Sequence, residues 1–485
     1  MQQYPDFPSV YQDVFANDQN QAASHNNPPV CSSALGEDLN APSVAIALRF
    51  DLFAFVYPLL IALDKAIDRR LVRTFLCTLE AIVKLRHRAN GLLLSELGAY
   101  LMPPEHAPAG TKRLSNLLHS AKWKAAIIHT FLWRQALQRH QQMQQNEEQA
   151  LILWDESVIE KPESIQAEGL CAVRSSKAKR LTHIKPGFFT PPTTKPIFVP
   201  GLNWISLLLC GPTGSPVVAA MQWWSTRGVL AKEKRVVQID LLKQCMTILG
   251  GQVLHVFDRG YAGKPWLEQL WQAEAHFLMR WPSRYHLVAD GDPLWQTRRA
   301  CDLVRGKRSV DHRLIRDAPH GCSRKLGLVY LRVWDTSLQH RLWLVVCRRG
   351  DGKEPWYLLT SEPIQSVADG WRMVMAYARR WQIEQCWRFN KSELAMESPR
   401  LWHWEQREKL LLMVTLVYAF LLSLLHAKWN ILRLWLLRHF CHRTGKRSRQ
   451  TAAPLYRLRA ALSRLWCLPL TPTIKPTQAQ PQNSG

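Results

Sequence analysis

Three carboxylates stand out as candidates for chemistry: Asp155, Asp258 and Glu384. The first two each follow a short apolar run, residues 151–154 and 253–257, of the kind that forms a buried strand. A single Asp after a strand is ordinarily a turn residue or a helix cap. Two at matching places in one sheet can converge on a cation. Glu384 belongs to a spaced set, Tyr377, Arg380, Glu384 and Lys391, with the pattern Y-x2-R-x3-E-x6-K. On a helix, positions 377, 384 and 391 lie two turns apart and close to one face, and Arg380 and Glu384 are neighbours at i and i+4. The plain alternative is a solvated face with one ion pair. No Cys or His stands with the three acids at ligand spacing, so a cation held there would meet oxygen alone. That donor set suits Mg²⁺ or Mn²⁺. Two such ions about 3.5–4 Å apart stabilise both the attacking and the leaving oxygen when a phosphodiester is displaced in line.

The elements that must position these side chains are legible in outline. Strands are expected over 151–154, 204–210, 217–224 and 253–257, with a helix over 232–249 before the last. Asp155 and Asp258 then close the first and fourth strands. One long helix over 367–396 carries Glu384, and strand-like runs at 328–333 and 342–346 lie between the second Asp and the Glu. Residues 45–145 read as helical. Within them 95–101 and 111–119 could form a helix-turn-helix, with Thr111 as cap and Lys112 and Arg113 in the first turn of its second helix. The turn is longer than usual for that motif, so an ordinary helical pair is the other reading.

Charge narrows the class of partner. Lys and Arg number 63 against 38 Asp and Glu, a formal +25, which favours a polyanion; a membrane surface or a ribosome would also accept such a charge. Residues 1–48 hold five acids and no Lys or Arg, a composition that resists folding. The last 77 residues hold 12 Lys and Arg and no acid, with a cluster at 442–449. Residues 174–195 add six Lys or Arg and no acid, which marks a candidate phosphate-contacting loop, with a merely solvated loop as the other reading. Eleven cysteines without a Cys-x-x-Cys pair read as reduced thiols. The apolar run at 410–425 is about 16 residues, short of the roughly 20 a bilayer needs, and reads as a buried core helix, as does 52–63.

The chain resembles the DDE transposases of bacterial insertion sequences, in the subgroup marked by the Y-R-E-K signature. The resemblance covers residues 150–400. It rests on Leu153-Trp154-Asp155-Glu156-Ser157, on Phe257-Asp258-Arg259-Gly260-Tyr261, and on Tyr377, Arg380, Glu384 and Lys391. It implies an α/β fold: an RNase H-like mixed sheet flanked by helices, with a β-rich insertion, a helical N-terminal domain and a basic helical C-terminal region. The expected division is a disordered leader at 1–44, a helical and candidate DNA-binding domain at 45–145, and the catalytic core at 146–282. The insertion follows at 283–365, then the second part of the core at 366–430 and the basic region at 431–485. Asp155, Asp258 and Glu384 would be the catalytic and metal-holding residues for two Mg²⁺ ions, with Mn²⁺ able to substitute. Asp155 would bridge the ions and each of the others would complete one site. Tyr377, Arg380 and Lys391, with Arg259 and Arg280 as weaker candidates, would contact DNA phosphates. Glu156, beside the first Asp, is not assigned as a ligand. A Trp of the insertion, among Trp295, Trp334, Trp343 and Trp356, could stack on a displaced base. The expected activity is cleavage and strand transfer at the ends of an insertion sequence. Double-stranded DNA is the partner, as element ends and target, with a homodimer in the DNA complex. The expected location is the cytoplasm, associated with the nucleoid and not with a membrane. An RNase H-like nuclease without strand transfer, or an inactive DNA-binding relic, are the alternatives.

Overall fold

The computed structural model describes residues 40–85, 87, 90–161, 166–175, 196–293, 296–317, 322–335, 340–350, 352–441 and 455–468. Residues 1–39 of the leader, the 176–195 part of the basic loop, Trp295 and the 442–449 cluster lie outside the described residues.

Among the described residues the fold is mixed α/β, with twelve strands in one mixed sheet. In chain order these are β1 (Leu151–Glu160), β2 (Cys171–Arg174), β3 (Phe198–Cys210), β4 (Val217–Trp224), β5 (Leu254–Phe257) and β6 (Phe277–Arg280). Then come β7 (His286–Ala289), β8 (Arg298–Arg299), β9 (Asp311–Asp317), β10 (Cys322–Asp335), β11 (His340–Arg348) and β12 (Trp356–Thr360). They are ordered β2-β3-β1-β5-β6-β12-β11-β10-β7-β8, with β4 also on β3 and β9 on β10. β1 runs antiparallel to β3 but parallel to β5, and β5 is parallel to β6. The central strands are short and buried on both faces because apolar residues of alternating direction feed two cores. Leu151, Leu153, Leu254, Val256, Leu278, Val345 and Leu358 face one core, while Ile152, Trp154, Phe257, Met279, Leu344 and Leu359 face the other. The strand-rich residues after Asp258 extend this sheet through β12 on β6 and do not form one apart.

The helices are α1 (Ala41–Asp64), α2 (Arg69–Lys84), α3 (Leu94–Leu101), α4 (Ala107–His119), α5 (Ala126–Gln145), α6 (Lys234–Leu249), α7 (Lys264–Gln272) and α8 (Ala300–Leu303). They continue with α9 (Val367–Ala378), α10 (Trp381–Ser392), α11 (Trp404–Ser423), α12 (Asn430–Phe440) and α13 (Leu455–Trp466). The run at 410–425 lies mostly in α11, which is buried on every side and occupies the middle of the first core. Its Lys409 ends against the carbonyls of Leu118 and Ser120, at 3.3 and 2.9 Å. Among the described residues α1 is the one helix that is by itself long and apolar enough to cross a bilayer, and half of that stretch is buried.

Thr111 does not cap a helix. Pro108 lies in the first turn of α4, so the helix begins four residues earlier than expected. Thr111 sits within α4 and donates to the carbonyls of Ala107 and Leu94, at 3.1 and 3.3 Å. Lys112 and Arg113 are exposed in the second turn. α3 and α4 cross almost backbone to backbone, since a Cβ at Gly110 would come within 2.3 Å of the Gly98 carbonyl.

α1 buries its two mid-helix charges. Arg49 pairs with Glu80 at 3.3 Å and donates to the Trp466 carbonyl at 3.2 Å. Asp51 is buried, and burial pushes its carboxyl up to about 7, with Lys428 opposing. An unfolded Asp releases its proton near pH 4. Between that pH and about 7 the unfolded chain therefore holds fewer protons than the folded one, and stability falls as pH rises. Taking the pH from 5 to 8 should cost about 2 kcal/mol through this group, and Asp51→Asn should flatten the slope. Calorimetric melts of both proteins across that range decide it, and parallel slopes would exclude Asp51 as the cause.

Candidate active site

Asp155 is not at the end of its strand. β1 runs on to Glu160, paired with β3 along its whole length. What ends near Asp155 is the parallel pairing with β5, whose last partners are Trp154 and Phe257. Asp155 and Asp258 are the next residues on each strand. They therefore lie at one level on adjacent strands, about 4.8 Å apart by sheet spacing. Phe257 in turn pairs with Met279, which places Arg280 at the same level one strand further on. By strand alternation Asp155, Asp258 and Arg280 all face the core that holds Leu153, Val256 and Leu278. Glu156 faces the other way, where Gln238 and Lys234 of α6 hold it.

The expected single helix over 367–396 is two helices. α9 starts at a capping box made by Ser366 and Asp369 and stops at Ala378; α10 begins at Trp381. In the break the bonding tightens to i→i−3, from Arg380 N–H to Tyr377, Gln382 to Arg379 and Ile383 to Arg380, each at 3.0 Å. The two arginines at the break make opposite contacts. Arg379 donates to the carbonyls of Thr213, at 3.3 Å, and Gly214 in the β3–β4 turn. Arg380 reaches the strand carboxylates.

The structure brings Asp155, Asp258, Glu384, Tyr377 and Arg380 together. Arg380 Nη1 lies 3.3 Å from Asp155 Oδ2, its Nε 3.8 Å from Asp258 Oδ1, and its Nη2 donates to Glu384 Oε1. Tyr377 Oη donates to Asp258 Oδ1 at 3.3 Å, and the Glu156 N–H donates to Asp155 Oδ1 at 2.8 Å. Burial pushes the Asp155 carboxyl up to about 6; Arg380 and the Glu156 N–H pull it back, and Asp258 adds to the rise. Burial also lifts the Tyr377 phenol to about 12, against Arg380. For Arg380 burial disfavours the charge, yet Tyr377, Asp258, Asp155 and Glu384 hold its pKa above the ordinary value.

Lys391 lies further along β1, where it donates to Ser157 Oγ at 2.8 Å. Arg280 pairs with Glu354 at 3.6 Å, and Arg259 is exposed in the turn after Asp258. Ser157 and Arg379 are the residues that sequence reasoning passed over. Strand parity was the available signal for Ser157, two positions on from Asp155. Of the insertion tryptophans, Trp356 packs edge-on against Tyr377, with ring centroids 5.1 Å apart. Trp334 donates to Asp290 at 3.0 Å, and Trp343 lies under Arg332.

The donor chemistry of the three acids fits a hard divalent cation, since every available ligand atom is a carboxylate oxygen. As they stand, a guanidinium lies among them. Among the described residues no three His, Cys, Asp or Glu side chains are grouped to hold a metal ion.

No curated protein matches the chain. Among solved structures, a cryo-EM structure of the piggyBac transposase synaptic complex with hairpin DNA aligns at 14% identity and a TM-score of 0.30. That alignment covers 67% of this chain, and the chain spans 55% of the other's length. Residues 232–420 match the family model described as "Transposase DDE domain". The match includes Asp258, Tyr377, Arg380, Glu384 and Lys391 and stops short of Asp155. Over residues 232–420, therefore, the chain is similar to the transposase DDE domain family.

Proposed function

We propose that the protein is a transposase that cuts DNA at the ends of a mobile element and joins the cut end to a target. The observation that carries this reading is the level row of Asp155 and Asp258 on adjacent parallel strands, with Glu384 joined to both through Arg380. The family match over 232–420 supports it, and so does the basic charge. The sheet order supports an RNase H-like core: β4, β3 and β1 form an antiparallel run, and β5 and β6 continue it in parallel. The Tyr377, Arg380, Glu384, Lys391 spacing supports the Y-R-E-K subgroup.

In this reading Asp155, Asp258 and Glu384 hold Mg²⁺ or Mn²⁺, which when bound supplies Lewis-acid stabilisation to the oxygens of the scissile phosphate. The chain's own residues do the rest. Tyr377 orients the Asp258 carboxylate through its hydroxyl. The Glu156 N–H and the buried face of β1 fix Asp155. Arg380, Lys391, Arg259 and Arg280 position the DNA backbone. Double-stranded DNA is the partner, engaged by a homodimer, in the cytoplasm with the nucleoid.

Incubating the purified protein with Mg²⁺ and a duplex carrying the ends of its own element tests this. Nicked or excised ends joined to a second DNA are the expected products. Cleavage without joining would leave a nuclease, and binding without cleavage an inactive relic.

A further inference from the structure

Arg380 does more here than stand beside an acid. Its one guanidinium contacts all three candidate ligands, on two strands and on its own helix, and its side chain is only 12% exposed. Three carboxylates brought together without a counter-charge would repel one another, so a cation must sit among them whenever they are ionised. In this structure that cation is covalently part of the chain. The neighbouring Arg379 cannot take over, because the β3–β4 turn already holds it.

We propose that Arg380 is a tethered counter-cation that keeps divalent metal out of the site until a DNA phosphate draws it away. This rests on the assignment of Asp155, Asp258 and Glu384 as the metal-holding set. The guanidinium fork matches a phosphate as well as it matches a carboxylate, so the two anions compete for the same group. Arg380 also sits at the tightened break between α9 and α10, where its backbone is not locked into an uninterrupted helix. Once Arg380 leaves, the carboxylates lose their partner, and their charge favours a metal ion in its place. Metal and DNA then raise each other's affinity by the same factor, because the coupling is reciprocal. A protein free of DNA is thereby kept from carrying an armed metal centre.

The test is Mn²⁺ binding by the full-length protein without DNA, read from the electron paramagnetic resonance signal of free Mn²⁺. Relative to the parent, Arg380→Gln should bind Mn²⁺ at least about tenfold tighter. Adding Asp155→Asn to that variant should remove the gain. Should Arg380→Gln melt early, Arg380→Lys carries the test. Its single ammonium lacks the fork and reaches fewer of the acids, so Mn²⁺ binding should still tighten severalfold. Equal binding by parent and variants overturns the proposal. If the parent already binds tightly through Asp155, only the gating is lost and the transposase reading stands. If no protein binds Mn²⁺ and Mg²⁺-dependent cleavage is also absent, both fall.

Discussion

Glu384→Ala should cut DNA at least about 10³-fold more slowly than the parent, because a metal contact is worth several kcal/mol in the transition state. DNA binding should persist or tighten. A negative charge near the phosphates is gone, and Arg380, which Glu384 now holds, is released towards DNA. Lys391→Ala should do the reverse. It removes a cation that rests on the Ser157 hydroxyl, so affinity should drop and the salt slope shrink by about one unit. Arg380→Ala is less clean, since it strips three carboxylates of a shared partner and should lower the melting temperature as well. A purely structural role for this helix predicts that all three variants lose stability, binding and cleavage together. Cleavage rates, binding across a salt series and melts on the same preparations separate the two accounts. Near-parental cutting by Glu384→Ala would remove it from the site.

Chelation should have the second large effect. EDTA is expected to stop cleavage completely, with Mg²⁺ or Mn²⁺ restoring it and Zn²⁺ failing to. The reason lies in the ligands: three carboxylates supply hard oxygen alone, without the His or Cys that zinc selects. Full cleavage in excess EDTA would end the two-metal account.

Much of the candidate site is legible in the sequence. The strands over 151–154 and 253–257, the helix over 232–249 and the spacing of Tyr377, Arg380, Glu384 and Lys391 all follow from apolar periodicity and short motifs. Sequence stopped at four places, each for a physical reason. β1 continues past Asp155 because β3 pairs with it to Glu160, and pairing partners distant in the chain leave no local mark. The helix break after Ala378 involves neither Pro nor Gly; it coincides with the opposing contacts of Arg379 and Arg380, which exist only once the sheet is assembled. Thr111 suits a cap by residue type, but α4, with Pro108 in its first turn, starts four residues before it. The level of Arg280 with Asp258 likewise depends on register, which spacing alone cannot supply.

The central helix α11 sets an order of events during synthesis. The N-terminal helices α1 to α4 bury their apolar faces in a core that also needs α11 and α13. Arg49 finds the Trp466 carbonyl and Ser463 finds that of Lys84, so partners sit more than 370 residues apart. At a translation rate of roughly 5–20 residues per second, the 258 residues between α5 and α11 take about 13–50 s to emerge. Through that interval the first helices have no complete core to join, and their apolar surface is open to solvent and to other chains. The core that α1 to α4 begin is therefore complete only once α11 and α13 have been made.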